Sequence, residues 1–396
     1  MNATTIGVDL SKSVFQLSLS NSAGRVVERK RLSRAQYERF LVQQPPAEIV
    51  MEACATAHHW ARTARAFGHQ PCLLHAQYVR PYVRRNKTDA ADADALLRAR
   101  RDPDLKPVAV KSPDQQALQG LHRIRQQWVA TRRQRITLAR GLLAEFGISL
   151  PVGAAGIVRR LHAVVEGVPV VLLSALTPVV AEIGELEQRI KQLDRQLATI
   201  AKANPDIQRL MTIPGVGVII ATAMLGSVAD IHRFARARQF AAWLGLTPRE
   251  YSTAQTRRLG RISKRGDGYL RMLLSHGARS ALLLAHRQAA KGDQTLTRLQ
   301  RWVLDRSTHP SQQSHHRARQ QDGAHHLGHL DTCRGLPSTL NLPITNRCIR
   351  FMSQPASGSG TRPITTPSFN ARACDRPAGC GLHDGAEPRC STSDAE

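Results

Sequence analysis

The first hundred residues alternate short β-rich runs with stretches of helical spacing. Thr5 to Asp9, Val14 to Leu19 and Arg25 to Arg29 read as strands. Asn21, Ser22 and Gly24 supply a turn between the second and the third, as a meander of hairpins requires. Ser33 reads as the N-cap of a helix carrying Tyr37, Phe40 and Leu41. Glu48 to Met51 then predicts a buried strand, Trp60 to Phe67 a helix, Pro71 to Leu74 a last strand, and Asp89 to Arg100 a closing helix.

This order, βββαβαβα, predicts an α/β domain of the RNase H-like (RuvC-like) kind over residues 1–110. Residues 111–204 read as a helical, coiled-coil-like linker. Leu118, Leu121, Ile124, Trp128, Ile136, Leu142, Leu143 and Phe146 keep helical spacing, and Leu186, Ile190, Leu193, Leu197 and Ile200 step by three or four. Two or three heptads fit packing within the chain as well as a dimer-forming or arm-like helical hairpin. A third, mostly α unit covers 205–305 and opens on Ile213-Pro214-Gly215-Val216-Gly217 before an apolar helix, Val218 to Leu225. A helix-hairpin-helix-like element of this kind exposes backbone N–H groups to a phosphate at Gly215 and Gly217, although the same turn also joins ordinary packed helices. Beyond residue 305 the periodicity stops, and a His-, Arg-, Gln-, Ser-, Pro- and Cys-containing stretch without a sustained apolar face predicts a disordered tail over 306–396.

Charge narrows the partners. A formal net charge of +26 on 396 residues, with a pI near 11.1, favours a polyanion, and nucleic acid is the natural one. With only 4% aromatic residues the chain lacks the stacking platforms of single-strand binders, so phosphate contacts are expected to dominate. The longest apolar stretch, Val168 to Val180, is broken by Pro169, Ser174, Thr177 and Pro178, and no signal-peptide pattern opens the chain. A cytoplasmic protein without a membrane partner is expected. The cysteines show no C-x-x-C spacing, which argues against zinc and a disulfide framework.

Four carboxylates carry the candidate chemistry. Asp9 and Glu52 end the runs Ile6-Gly7-Val8-Asp9 and Glu48-Ile49-Val50-Met51-Glu52, and Asp89 and Asp92 stand three residues apart at the start of the closing helix. Two Mg²⁺ ions about 4 Å apart need hard oxygen ligands from several elements, and these four residues meet that demand. The competing readings are that Asp89 merely caps its helix after Thr88 and that Asp94 is one more solvated acid beside it. Farther along, Ser252 and Thr253 precede Arg257, Arg258, Arg261, Lys264 and Arg265, which suit a phosphate. By composition alone, a hydroxyl pair in such a basic loop is more simply a phosphate contact than a nucleophile.

Taken together, Asp9, Glu52, the Asn-Lys-Thr-Asp-x-x-Asp run ending at Asp92, the Ile-Pro-Gly-Val-Gly turn and the block from Phe240 to Leu274 resemble transposases of the insertion sequence 110 type, most closely the 1111 subgroup. The resemblance covers residues 1 to about 305. It implies a RuvC-like domain with a DEDD metal site, a helical linker and a C-terminal transposase domain that supplies a serine. It also implies a recombinase guided by a structured RNA, with DNA as substrate, and a homo-oligomer in which Ser252 reaches a neighbouring subunit. The family's Ser-Ser/Thr-Gly-Gly run stands here as Ser252-Thr253-Ala254-Gln255, without its glycines. Ser252 is the expected nucleophile, and Thr253 the alternative if the family serine aligns one place later. A RuvC-like structure-specific nuclease would need the carboxylates without the serine, and an inactive nucleic-acid-binding remnant only the charge. Finally, Gln320 to Asp331, read with GC-rich codons displaced by one nucleotide, gives an amphipathic run like the family's closing helix, so a frameshift is expected near the start of the tail.

Overall fold

A computed structural model describes residues 5–83, 88–150 and 167–292 together with 296, 300, 301 and 304. Five strands, β1 (Thr5–Asp9), β2 (Val14–Ser20), β3 (Val26–Ser33), β4 (Glu48–Glu52) and β5 (Gln70–Leu74), form one sheet in the order β3-β2-β1-β4-β5. The first three pair antiparallel, while β1–β4 and β4–β5 are parallel. Parallel neighbours need crossovers, which α1 (Arg34–Gln43) and α2 (Ala57–Ala66) provide. The mixed sheet agrees with the RNase H-like expectation.

The period-2 alternation of the strands divides the core into two layers. Ile6, Val8, Ile49, Met51 and Leu73 pack with Tyr37, Phe40, Ala57, Trp60 and Ala64 of α1 and α2. Val50, Cys72 and Leu74 face the other way, onto Ala95, Leu96 and Ala99 of α4 (Asp89–Arg100). The sheet therefore lies between two helical layers.

Several boundaries differ from the sequence reading. Strand β3 runs on to Ser33 because it pairs with β2 as far as Val14. Ser33 still caps α1, in a capping box with Gln36. The second helix begins at Ala57 rather than Trp60, and a short α3 (Ala76–Val79) with a 3₁₀ turn, Arg80–Tyr82, precedes α4. Thr88, whose hydroxyl accepts the Ala91 N–H, caps α4, so Asp89 is not the cap.

Helices α5 (Pro113–Ala144) and α6 (Val170–Ala203) run antiparallel, with ion pairs Arg125–Asp194, Arg132–Glu187 and Arg135–Glu182 spaced down their length. Leu186, Ile190, Leu193 and Leu197 are buried, so the seam closes within the chain. On α5 the buried positions are Leu118, His122, Ala139 and Leu143, while Ile124, and Phe146 just past the helix end, both expected on the apolar face, are exposed. His122 takes a core position because its ring nitrogens bond Thr222 Oγ1 at 3.0 Å and Tyr269 OH at 3.1 Å. Burial, with the charge of Arg125 adding to it, lowers its pKa to about 4.

The remaining elements are α7 (Pro205–Met211), α8 (Val218–Ser227), α9 (Ala237–Trp243), strands β6 (Pro248–Glu250) and β7 (Leu259–Ile262), and α10 (Gly268–Ala290). Their core, from Ile207 to Ala278, centres on Phe240, Leu244, Leu270 and Met224. Gln115 of α5 donates to the Val228 and Ala229 carbonyls, so the long helix is shared by the linker and the C-terminal unit. None of the helices among the described residues is long and apolar enough to cross a membrane. The expected disordered and frameshifted tail, 306–396, lies outside the described residues.

Candidate active site

Strand register brings the first two carboxylates together. Ile6 to Val8 pair with Ile49 to Met51 in parallel, so Asp9 and Glu52 end adjacent strands at the same edge of the sheet. In the alternation, Asp9 follows Gly7 and Glu52 follows Val50 onto the face covered by α4.

Helix α4 runs against β1. A Cβ on Gly7 would stand 2.5 Å from the Ala93 carbonyl oxygen, and farther down the helix Arg100 meets Glu48 at 2.6 Å, at the other end of the strands. Four helical residues advance about 6 Å and two strand residues about 7 Å. The helix start at Asp89 is therefore displaced from Gly7 toward the Asp9 end of β1. The start of α4, which carries Asp89 and Asp92, lies toward the end of the sheet where Asp9 and Glu52 stand.

The four carboxylates do not close into a ligand cage. Among the described residues no group of three or more His, Cys, Asp or Glu side chains reaches metal-binding geometry. The donor set is nevertheless all carboxylate oxygen, drawn from three elements, which suits a hard divalent ion and not a soft one.

Two supporting features escaped the sequence reading. Asp94 is not a solvated acid: it accepts from Ser18 Oγ at 2.6 Å and pairs with Arg29 at 2.8 Å, pinning α4 to β2 and β3. Burial pushes its pKa up, but the bonds from Arg29 and Ser18 outweigh this and hold the carboxyl below its ordinary value. Beside Asp89 opens a cleft of about 350 Å³ lined by Lys12, Ser11, Ser13, Gln16 and Arg31, which sets two cations near Asp89. The glycine inside an otherwise apolar strand was the available signal for the close helix contact.

The Ile213–Gly217 turn divides its two glycines between roles. Gly215, at φ 86°, is wedged against α10, where a Cβ would meet the Gly277 carbonyl oxygen at 2.3 Å. That contact explains Gly215 by packing. Gly217 is exposed, has open space around it, and starts α8 without a side-chain cap, so the N–H groups of that helix end face outward.

Ser252 stands at the mouth of the β6–β7 hairpin. Glu250 pairs with Leu259, the Tyr251 N–H bonds the Arg258 carbonyl at 2.8 Å, and the Thr253 N–H bonds the Thr256 carbonyl at 3.0 Å. The Ser252 hydroxyl donates to Glu250 Oε1 at 2.8 Å and accepts from the Arg258 N–H at 3.1 Å. Lys264 is the one positive-φ non-glycine residue among those described, so Ala254 and Gln255 hold ordinary backbone angles where the resemblance leads one to expect glycine. Arg257, Arg258, Arg261, Lys264 and Arg265 are all exposed around the hairpin. Its base is tied down by Lys264 N–H to the Gly245 carbonyl at 3.0 Å and by the tight crossing of Gly266 over Trp243.

Two family models match the chain, one over each of these regions. The model of the transposase IS116/IS110/IS902 family matches residues 207–293, and the DEDD transposase model of the IS110 type matches residues 6–148. A probable family 20 transposase of Pseudomonas aeruginosa is 44% identical over 287 residues, which cover 71% of this chain and 85% of the relative. The transposase for insertion sequence element IS1328 of Yersinia enterocolitica is 40% identical over 280 residues, covering 70% and 84%. The transposase for insertion sequence element IS1111A of Coxiella burnetii is 39% identical over 288 residues, covering 70% and 77%.

Proposed function

The chain belongs to the IS116/IS110/IS902 family of insertion sequence transposases, and from that membership we propose how it works. Asp9, Glu52, Asp89 and Asp92 hold Mg²⁺, which when bound screens phosphate charge and polarises the phosphorus–oxygen bonds. The observation that carries this reading is the parallel pairing of β1 and β4, which ends Asp9 and Glu52 on adjacent strands on the face that α4 covers. Lys12 and Arg31, lining the cleft beside Asp89, hold the neighbouring phosphates of the DNA strand.

Ser252 forms a covalent phosphoserine link with the cut strand. It acts from the C-terminal unit of a neighbouring subunit in a homo-oligomer, and a structured guide RNA selects the DNA. Arg257, Arg258, Arg261, Lys264 and Arg265, with the N–H groups of the helix end at Gly217, hold phosphates of the two nucleic acids. The division into a RuvC-like domain at 1–110, a linker at 111–204 and a transposase unit at 205–305 is part of the same reading, with α5 as the shared joint.

Residues 306–396 we read as out of frame. The half-exposed Leu283 and Leu284 on α10 are the kind of surface that a missing closing helix leaves. The nucleotide sequence decides: an intact apolar helix in another frame just past codon 305 supports the reading, and its absence refutes it.

One experiment tests the chemistry. The full chain is incubated with a labelled element-end duplex, the element's RNA and Mg²⁺, then denatured. The expected result is a DNA–protein adduct that Ser252→Ala abolishes. Cleavage that survives Ser252→Ala but not Asp9→Ala would indicate a RuvC-like nuclease, and binding without cleavage an inactive remnant.

A further inference from the structure

Ser252 is held by two bonds whose directions leave no choice. A carboxylate only accepts and a backbone N–H only donates, so the Ser252 proton must point at Glu250 and one Oγ lone pair must receive the Arg258 N–H. One lone pair remains for an electrophile. Glu250 ends β6 and Ser252 follows two residues later, and their side chains meet directly in the 2.8 Å hydrogen bond. Arg258 is brought in across the hairpin by the Tyr251–Arg258 bond, and Arg257 Nε lies 3.7 Å from the same Glu250 oxygen that receives the serine. Thr253 has no such arrangement: its N–H closes the turn to Thr256, and no hydrogen bond to its hydroxyl is present among the described residues.

We infer that Glu250 is the proton acceptor that turns Ser252 into a nucleophile. This rests on the reading of Ser252 as the attacking residue. As the Oγ–P bond forms, the Oγ–H bond breaks and its proton passes to Glu250 Oε1. The bond from phosphorus to the departing sugar oxygen breaks, and that oxygen takes a proton from solvent water. In the rejoining direction an incoming sugar hydroxyl attacks phosphorus and loses its proton to solvent. The Glu250 carboxyl then returns a proton to Oγ as the phosphoserine bond opens. The Arg258 N–H keeps Oγ aimed throughout, and Arg257 holds the carboxylate in place.

The test measures the rate of adduct formation by the full chain with labelled element-end duplex, RNA and Mg²⁺ between pH 6 and 9. Glu250→Gln keeps an oxygen that can receive the serine O–H but cannot take its proton. It should slow adduct formation by about a hundredfold or more near neutrality. Its rate should rise about tenfold per pH unit as hydroxide replaces the lost base, while the wild-type rate changes little. Glu250→Asp should recover part of the rate, and duplex and RNA affinities should stay within about twofold in both variants. A Glu250→Gln loss under tenfold, or one equally deep at every pH, would overturn the assignment. If wild type cleaves DNA without any adduct, the nucleophile reading itself fails, and it fails in the wild-type lane, before any Glu250 variant is considered.

Discussion

Asp9 and Glu52 end strands whose inner residues Ile6, Val8, Ile49, Val50 and Met51 are fully buried, whereas every residue from 248 to 261 around Ser252 is exposed. The acids are positioned by a core: two neighbouring parallel strands, a helix laid on Gly7, and Asp94 clamped between Ser18 and Arg29. The serine is positioned by hydrogen bonds alone, on a two-stranded hairpin fastened at its base. A group that must hold its place against the repulsion of three others needs tertiary packing around it. On the proposed reading, Ser252 must reach a DNA strand, and a local clamp with open space around it suits that task. The same division makes the first site sensitive to core volume and the second to single polar atoms.

The largest effect should come from the acids. Asp9→Asn or Glu52→Gln is expected to lower Mg²⁺-dependent strand cleavage by on the order of a thousandfold or more, because ligands of one site act as a unit. DNA affinity, set by Lys and Arg contacts, should change little. Cleavage and filter-binding assays on the same preparations measure both, and an unchanged cleavage rate in Asp9→Asn would remove the carboxylate site from the reading.

The contrast also decides what was legible beforehand. Strands β1 and β4 announce themselves because a buried strand needs an unbroken apolar run, and an acid at its end is conspicuous. Which face those acids take was not legible, since it depends on the β1–β4 register and on α4 crossing at Gly7. The place of Asp94 is not legible for the same reason: its partners Ser18 and Arg29 are 76 and 65 residues away. On α5, Ile124 fits the apolar spacing and yet is exposed, while His122 goes inside because Thr222 and Tyr269, brought up by two later helices, satisfy its ring. The basic residues near Ser252 were plain from composition. The clamp was not, because Arg258 reaches Ser252 only once the hairpin closes.

His122 tests whether the two regions stand or fall together. Unfolded, its pKa lies near 6.5; folded, burial holds it near 4. As pH falls through that window the unfolded chain binds a proton that the native one refuses, so stability is lost between pH 6.5 and 4 and is constant above it. The loss should reach about 2 to 3 kcal/mol near pH 4. Urea titrations at pH 7.5 and 4.5, compared with those of His122→Gln, measure it. An equally steep acid loss in the variant would assign the effect to other groups.

Gly7→Ala separates packing from charge. Its Cβ would lie 2.5 Å from the Ala93 carbonyl oxygen and 3.0 Å from Leu97 Cγ, so α4 must shift outward. Overpacking of this kind costs on the order of 2 kcal/mol. Because α4 carries Asp89 and Asp92, cleavage should fall further than stability alone explains, whereas the fluorescence of Trp243, beside the hairpin, should keep its wild-type spectrum under native conditions. A variant with wild-type cleavage would show that α4 is not positioned by Gly7.

The smallest effect is expected at Ala254 and Gln255, where the resemblance implies glycine. Glycine is favoured where φ is positive, yet Ala254 and Gln255 hold negative φ and the Thr253–Thr256 turn closes over them. Restoring glycine with Ala254→Gly and Gln255→Gly therefore relieves no strain. It should loosen the hairpin slightly, by about 0.5 to 1 kcal/mol, through added freedom in the open state. Adduct formation should stay within about threefold of wild type, because the Glu250 and Arg258 bonds that aim Ser252 lie outside the replaced pair. A gain of tenfold or more would show that the exposed site depends on movement of its turn, and that the clamp seen around Ser252 is a resting arrangement rather than the reactive one.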